Sequence, residues 1–382
     1  MVRDGVPVAE AARLLCISRK TAHKWLARQE ASGREGLVDR SRARHTQPHA
    51  TCAAVRGLLI ELRQETGDGP QQLLWLARRR YPDLVLPAPS TVSSILTKAG
   101  LVEPSRRTRR DAGLRGPSGP YRAATKPNEQ WTVDFKGQFR LGDRSTCYPL
   151  TVQDDATRYL LCIDGYASTS TEDVLSSFRR IFRKHGIPER IHSDNGVPFA
   201  STGLGRLSRV SVEWMRQEIE VCRSRPGHPQ DNPRHERMHR TLKAKTARPP
   251  CATPPSQQRR FGAFVRWMNE ERGHEGLGMR APAEVYEPSS REWRARPKAP
   301  EYPGHWEVRR VRTTGEIRLA GSLVFLCEAL QGETVGLAEV DDGLWRLSYR
   351  RSVLCFIDTR GETARVLCGV PEEEGDRRLF AG

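Results

Sequence analysis

WTVDF (131–135), CYPLTV (147–152), YLLCI (159–163) and STEDVLSSFRRIFRKHG (170–186) follow one another in the middle of the chain. The first three segments have the short, apolar composition of β-strands, and a turn at Asp154 and Asp155 predicts that the second and third pair as a hairpin. The fourth segment has its apolar side chains on one helical stripe, at Val174, Leu175, Phe178, Ile181 and Phe182. Strands that alternate with helices predict an α/β domain with a mixed sheet.

Two short amphipathic segments stand near the start of the chain, VAEAARLLC (8–16) and RKTAHKWLAR (19–28), with the break Ile17-Ser18 between them. This spacing predicts a helix-turn-helix, in which Ser18 caps the second helix. Four polar residues early in that helix would face a DNA major groove: Arg19, Lys20, His23 and Lys24. An ordinary helical hairpin is the alternative, but a basic first turn is unfavourable at the positive end of a helix.

The remaining segments complete a multidomain organisation, which we predict as follows. The predicted regions are an all-α helix-turn-helix domain (1–50), a second helical, winged-helix-like domain (51–104), a basic linker (105–128), the α/β domain (129–288), a linker (289–303) and a small β-barrel (304–382). The second helical domain either reads DNA or supports the packing of the first. The arginines of the barrel either touch DNA or form a solvated rim.

The composition of the chain indicates what kind of partner the protein binds. Among 382 residues, 63 are Lys or Arg against 46 Asp or Glu, and the formal charge of +17 favours a polyanionic partner, nucleic acid above all. A basic protein with no such partner is the alternative. Nine cysteines without a Cys-x-x-Cys pair argue against a zinc module and favour a reducing cytoplasm. No apolar run of about 18 residues is present, so we expect no membrane partner.

Three acidic residues stand where local structure would expose them at the end of an element. Asp134 lies in a strand with apolar neighbours, where a carboxylate is costly unless it is paired or binds a metal. Asp194 follows the extended segment ERIHS and meets an Asn-Gly turn, and Glu236 falls in the first turn of a helix that begins near Pro233. Each alone is typical of a turn or a cap. Together on an α/β frame they indicate a site for hard divalent cations, which prefer oxygen ligands.

The segments WTVDF, IHSDNG (191–196) and HPQDNPRHERMHRTLK (228–243) resemble the retroviral-integrase-type core of bacterial insertion-sequence transposases. The resemblance covers the whole chain and implies a ribonuclease-H-like core with an Asp, Asp, Glu triad. By position, Asp134, Asp194 and Glu236 would be the catalytic metal ligands for two Mg²⁺ ions, with Mn²⁺ as a substitute. Arg240 and Lys243 lie four and seven residues after Glu236 on the same helical face, and resemble the basic residues that hold terminal DNA in that family.

The resemblance implies a transposase that cleaves and joins DNA strands at insertion-sequence ends. Its partners would be double-stranded DNA, both transposon end repeats and target, and at least one further copy of the chain. We expect it in the bacterial cytoplasm, associated with the nucleoid. Two alternatives remain: a DNA-binding regulator with an inactive core, and a structure-selective nuclease that cuts without joining. The intact carboxylate trio argues against the regulator.

Some features depart from the resembled pattern. From Asp134 to Asp194 is 60 positions, which is ordinary, but from Asp194 to Glu236 is 42, longer than is usual. We place the extra residues in STGLGRLSRV (201–210), as a loop or short helix. Pro233 replaces a usual glycine, and a helix tolerates proline at its first position. Gly273 replaces a usual proline. His192 and His228 either place the substrate or are structural.

Overall fold

The structure is a computed structural model, and it describes residues 2, 5–39, 50–102, 123–201, 203–224, 233–361 and 363–367. Residues 1–61 and 62–382 form two compact units. Most of the linker predicted at 105–128 lies outside the described residues, as do His228 and the end of the predicted barrel. The boundaries of the six predicted regions stay predictions.

The N-terminal unit contains the two predicted helices, α1 (Val8–Leu14) and α2 (Arg19–Ser32). The side chain of Ser18 accepts a hydrogen bond from the backbone N–H of Thr21 at 3.1 Å, so Ser18 is the predicted N-cap. Ala11, Ala12 and Ala22 are buried. Leu14 and Leu15, by contrast, are 64% and 58% exposed. Small alanines, and not these leucines, therefore fill the contact between the two helices.

Three helices follow: α3 (Ala53–Thr66), which spans the boundary between the units, α4 (Pro70–Arg80) and α5 (Pro89–Lys98). Residues 50–102 contain no strand, so no wing accompanies these helices there. The α4 region packs on the α/β domain: Gln72 Nε2 donates to the carbonyl of Gly273, and Arg272 lies 3.4 Å from the carboxylate of Asp68. These contacts favour the packing role over an independent DNA-reading role.

The α/β domain has one mixed six-stranded sheet. Its strands are β1 (Gln130–Phe135), β2 (Phe139–Arg140), β3 (Thr146–Asp154), β4 (Leu160–Tyr166), β5 (Arg190–Ser193) and β6 (Glu220–Arg223). The order is β2-β3-β1-β5-β6, and β4 also pairs with β3. The predicted hairpin of β3 and β4 is antiparallel, as is β1 with β3, whereas β5 runs parallel to β1 and to β6. The mixed sheet is thus confirmed.

Helix α6 (Thr171–His185) covers one face of the sheet with its predicted stripe. Ser170 caps it by accepting from the N–H of Asp173 at 3.2 Å, and Gly186 ends it at φ 71°. Phe178 and Phe182 are at most 2% exposed, and they pack in one cluster with Trp131 and Val133 of β1. Each such side chain contributes about 1.5 to 3 kcal/mol by burial, so β1 is held firmly beneath the site described below.

Three further helices complete the domain: α7 (Arg209–Arg216), α8 (Pro233–Thr246) and α9 (Pro254–Glu270). Met238 and Leu242 of α8 are buried in a cluster with Phe261 and Phe264 of α9. This apolar contact, together with Leu160 of β4, holds α8 against the second face of the sheet. The 201–210 stretch contains a short 3₁₀ turn at Leu204–Arg206 and the first residues of α7, in keeping with the prediction.

The C-terminal region consists of two open antiparallel sheets. The first has the order β13-β12-β11-β10-β7 and the second pairs β8 with β9. The strands are β7 (Glu307–Arg310), β8 (Glu316–Leu319), β9 (Ser322–Phe325), β10 (Thr334–Asp341), β11 (Leu344–Tyr349), β12 (Ser352–Asp358) and β13 (Arg365–Leu367). Among the described strands no pairing closes the sheets on themselves, so the predicted barrel is not confirmed. Their core includes Val212 and Met215 of α7, so the sheets pack on the α/β domain instead.

Within the residues that the structure describes, no helix combines the length and hydropathy needed to cross a bilayer. None of the eight cysteines of that part of the chain forms a disulfide.

Candidate active site

Asp134 lies near the end of β1, beside β5, the strand that Asp194 follows. Its side chain is 35% exposed. Burial, and after it the negative charges of Asp194 and Glu236, raise the pKa of Asp134 from 3.8 to about 7. Two carboxylates that are far from Asp134 in the sequence therefore act on its charge.

Asp194 directly follows β5, as predicted from the Asn-Gly turn. Its Oδ1 accepts a hydrogen bond from the N–H of Gly196 at 3.2 Å. A β-carbon on Gly196 would stand 3.0 Å from the other carboxylate oxygen, so a larger residue there would crowd the acid. Burial raises the pKa of Asp194, and the hydrogen bond from Gly196 opposes that rise. The turn thus holds the carboxylate at the end of the strand, where β1 and β5 run side by side.

Glu236 lies in the first turn of α8 and is exposed to the cleft. A cavity of about 730 Å³ is lined by Asp134, Phe135, Lys136, Glu236, His239, Arg240, Lys243, Ala244 and Arg248. Asp134 and Glu236 thus share one cleft with the two basic residues that sequence analysis selected on α8. Lys136 and Arg248 add two cations that it did not select. The cleft suits a ligand with negatively charged oxygens, held beside a cluster of acids.

The structure adds two histidines that sequence analysis missed. His235 and His239 are 1% and 5% exposed, and both rings contact threonines of the sheet. His235 Nδ1 lies 2.8 Å from the hydroxyl of Thr132, and its Nε2 lies 2.6 Å from that of Thr151. Burial lowers the pKa of His235 to about 3 and lowers that of His239 strongly, so both rings are neutral at pH 7. Their spacing of four residues around Glu236 was the available signal, because it places both rings on one helical face.

The two histidines that sequence analysis did single out have other positions. His192 lies on β5, is 4% exposed, and its Nε2 is 3.0 Å from the hydroxyl of Ser224. That environment fits the structural alternative for His192. His228 lies outside the described residues.

The donor atoms of the cleft fit a hard divalent cation. Asp134 and Glu236 line the cavity, and the carboxylate oxygen is the kind of ligand that magnesium and manganese prefer. Asp134, His235 and His239 also offer ligand atoms within 4.8 Å of one another. His235, however, has both ring nitrogens within hydrogen-bond distance of threonine hydroxyls, so it has no lone pair to give. A carboxylate site is therefore favoured over a histidine site.

The predicted DNA-reading residues of the N-terminal unit are all exposed. Arg19, Lys20, His23 and Lys24 lie in the first turns of α2 with their side chains in solvent. None of them is needed for the burial of Ala22, which holds α2 in its unit. This surface has the exposure that a groove-reading helix requires.

The departures at Pro233 and Gly273 have structural explanations. Helix α8 begins at Pro233, so this proline stands at the first helical position, where its missing N–H costs nothing. A β-carbon on Gly273 would come within 2.8 Å of the indole ring of Trp75 and of the carbonyl of Met279. Gly273 is therefore required by the close approach of α4 to the loop after α9.

Family comparisons agree with this architecture. Residues 124–229 match one model of the integrase core domain, residues 217–282 match a second model of the integrase core domain, and residues 1–54 match a winged helix-turn helix. The matched ranges cover the predicted α/β domain as far as residue 282 and the whole of the predicted helix-turn-helix.

Solved structures of retroviral integrases are also similar, at low identity. A simian T-cell lymphotropic virus intasome, in complex with the PP2A regulatory subunit B56 gamma, is 14% identical with a TM-score of 0.39, over 77% of this chain and 97% of that one. The HTLV-2 integrase catalytic core domain in complex with magnesium is 11% identical, with a TM-score of 0.33, over 42% of this chain and 98% of that one. The BIV integrase core is 19% identical, with a TM-score of 0.32, over 42% and 93%.

The assignment of the core rests on the family matches and on the mixed sheet. The chain therefore contains an integrase core domain with a mixed sheet, preceded by an N-terminal helical region that matches a winged helix-turn helix.

Proposed function

We propose that this protein is a transposase that cleaves DNA at insertion-sequence ends and joins the freed ends to target DNA, with Asp134, Asp194 and Glu236 as its metal ligands. The observation that carries the proposal is the cleft that Asp134 and Glu236 share with Arg240 and Lys243, with the charge of Asp194 close enough to raise the pKa of Asp134. An integrase core domain supports DNA integration or transposition in general. Strand transfer at insertion-sequence ends is the finer step that we propose.

The carboxylates would hold two Mg²⁺ ions, and Mn²⁺ would substitute. Bound there, such ions would make the attacking oxygen more nucleophilic and stabilise the leaving oxygen of an in-line displacement at phosphorus. The raised pKa of Asp134 reflects burial first and then repulsion by Asp194 and Glu236, and a bound cation would offset that repulsion. No side chain needs to act as the nucleophile.

The reaction consists of two displacements at phosphorus. In the first, water attacks the phosphodiester at the transposon end, and the bond to the 3′ oxygen breaks to leave a 3′ hydroxyl and a 5′ phosphate. In the second, that 3′ hydroxyl attacks a target phosphodiester, which releases a target 3′ hydroxyl. Arg240 and Lys243 position the DNA backbone beside the acids, and correct placement alone lowers the barrier substantially.

DNA recognition would be divided between the two units. Arg19, Lys20, His23 and Lys24 of α2 read the terminal repeat, and the basic cleft of the core holds the reacting phosphates. Joining two ends requires that at least two copies of the chain assemble on DNA. The site of action is the bacterial nucleoid.

The test uses the full chain with Mg²⁺ and double-stranded oligonucleotides that carry the inverted repeats flanking its coding sequence. Asp134→Asn, Asp194→Asn and Glu236→Gln should each reduce cleavage and joining at least about a hundredfold, because each removes a ligand worth several kcal/mol. Binding of the repeat should stay within about twofold of wild type. Glu172→Gln is the matched control, because Glu172 is an exposed acid of α6 that pairs with Arg209.

The products discriminate the proposal from its alternatives. Joined target strands support a transposase, cut ends without joining indicate a nuclease, and binding without cutting indicates a regulator. Normal joining by any one of the three variants would remove that residue from the site.

A further inference from the structure

One hydroxyl group links the helix of Glu236 to the strand of Asp134. Thr151 is fully buried in the middle of β3, directly opposite Asp134 in the antiparallel ladder. Its Oγ1 donates to the backbone carbonyl of Asp134 at 2.9 Å. The same oxygen lies 2.6 Å from His235 Nε2 and 2.7 Å from His239 Nε2. A single side chain thus contacts the strand of one acid and two residues of the helix that carries another.

Counting protons fixes the direction of these hydrogen bonds. A hydroxyl has one hydrogen, and the carbonyl of Asp134 can only accept it. Both Nε2 atoms must therefore donate their N–H to the two lone pairs of the Thr151 oxygen. This assignment holds whatever the charge of either ring. The donor and acceptor capacity of Thr151 is then fully used.

The two histidines bracket Glu236 on α8. His235 precedes Glu236 by one residue and His239 follows it by three, so the first turn of the helix is tied to the sheet on both sides of the acid. The hydroxyl of Thr132 on β1 adds a contact to His235 at 2.8 Å. His239 Nδ1 also lies 3.6 Å from Asp134 Oδ2. The contacts therefore connect α8 with both β1 and β3 at the level of the site.

Helix α8 does not need this polar network for its attachment. Met238 and Leu242, at 2% and 1% exposed, already bury its apolar stripe against α9. Burying four polar side chains costs free energy unless every group is paired, and even then an apolar core is often as stable. What a fully paired network adds is a defined position and rotation of the helix.

We propose that Thr151, with His235 and His239, forms a positioning unit that sets the Glu236 carboxylate at the correct distance from Asp134 for shared cation binding. The inference rests on the function proposed above, because it assumes that these two acids hold a common cation. Positioning partners of metal ligands matter for affinity because a ligand that is free to rotate loses entropy when it binds.

The test measures Mn²⁺ binding to the metal-free full chain by calorimetric titration, in the absence of DNA, so it does not depend on activity. Thr151→Val keeps the shape of the side chain and removes the hydroxyl, and it should weaken Mn²⁺ binding about tenfold or more. Thr151→Ser keeps the hydroxyl and should stay within about threefold of wild type. Thr246→Val is the matched control, because Thr246 is also buried on α8 and donates only to the carbonyl of Leu242.

A second pair of variants guards against misfolding of Thr151→Val. His239→Leu should weaken Mn²⁺ binding to a similar degree, whereas His239→Gln, whose amide nitrogen can donate in place of Nε2, should recover most of it. Thermal unfolding of every variant is recorded alongside. A purely structural role for the network would lower the melting temperature of Thr151→Val and Thr246→Val while leaving both Mn²⁺ affinities equal to wild type.

Asp134→Asn distinguishes failure of the positioning unit from failure of the proposed metal site. If Asp134→Asn loses Mn²⁺ binding and Thr151→Val binds as wild type does, the positioning unit is refuted and the metal site stands. If Asp134→Asn binds Mn²⁺ as tightly as wild type, the proposed metal site fails, and the positioning unit fails with it.

Discussion

Asp134→Asn should stabilise the metal-free protein at neutral pH while it removes activity. The pKa of Asp134 is raised from 3.8 to about 7 in the folded state, first by burial and then by the charges of Asp194 and Glu236. The folded state therefore holds a proton that the unfolded state has released between those two pH values. The free energy of unfolding therefore falls as pH rises through this window, because the unfolded state binds fewer protons than the folded state.

The magnitude follows from the shift. About three pKa units at about 1.4 kcal/mol each give roughly 4 kcal/mol as an upper bound at pH 7.5. Because the Asp134 side chain is 35% exposed, solvent screening reduces this to about 1 to 2 kcal/mol. Asparagine cannot ionise, so the variant should gain nothing at pH 4 and about 2 to 4 °C in melting temperature at pH 7.5.

The assay is thermal unfolding of wild type and variant in EDTA from pH 4 to 7.5. The result is how the difference between their melting temperatures changes with pH. Asp143→Asn is the control, because the hydroxyl and backbone N–H of Ser145 lower the pKa of Asp143 from 3.8. Asp143 therefore titrates below pH 4, and the stability difference between this variant and wild type should stay constant from pH 4 to 7.5. A pH-independent difference for Asp134→Asn would refute the charge coupling on which the proposed site depends.

Three further predictions follow from other contacts. Gly273→Ala should lower the free energy of unfolding in urea by about 1 to 3 kcal/mol, because its β-carbon would lie 2.8 Å from an indole ring and a carbonyl. A variant as stable as wild type would contradict this close approach. Arg240→Gln and Lys243→Gln should each lower the salt dependence of DNA binding by about one unit of slope, measured by fluorescence anisotropy, and an unchanged slope would exclude phosphate contacts. Arg216→Met should lower the free energy of unfolding by about 1 to 3 kcal/mol, because Glu333, which is only 8% exposed, loses its ion partner. A double-mutant cycle with Glu333→Gln measures the energy of this ion pair, and additive effects of the two changes would contradict the prediction.

Local sequence patterns were enough to predict most of the elements. The stripe of α6, the cap at Ser18 and the hairpin of β3 and β4 depend on residues that are close in the chain, and the structure contains all three. The approach of Asp194 to Asp134 was also accessible, because each acid stands at or near the carboxyl end of a buried strand and the two strands run parallel.

Local patterns were not enough to predict the arrangement of the C-terminal strands. Short alternating strands with glycine turns are common to barrels and open sheets, and closure depends on pairing between the first and last strands. Here the inner residues of the sheets pack against Val212 and Met215 of α7, which are distant in sequence. Burial against a helix thus replaces the burial that closure would provide, and no strand-by-strand pattern records it.

The partners of the two α8 histidines could not be predicted from local patterns either. Thr132 and Thr151 lie 103 and 84 residues before His235, and nothing in either segment marks a threonine as the partner of an imidazole. A histidine pair beside a glutamate is more often read as a metal motif, and the proximity of both rings to Asp134 would encourage that interpretation. The hydrogen bonds decide otherwise, because both nitrogens of His235 face hydroxyl groups and the single proton of Thr151 is already given to a carbonyl. His235 is thereby excluded as a ligand, and the proposed cation site depends on the carboxylates.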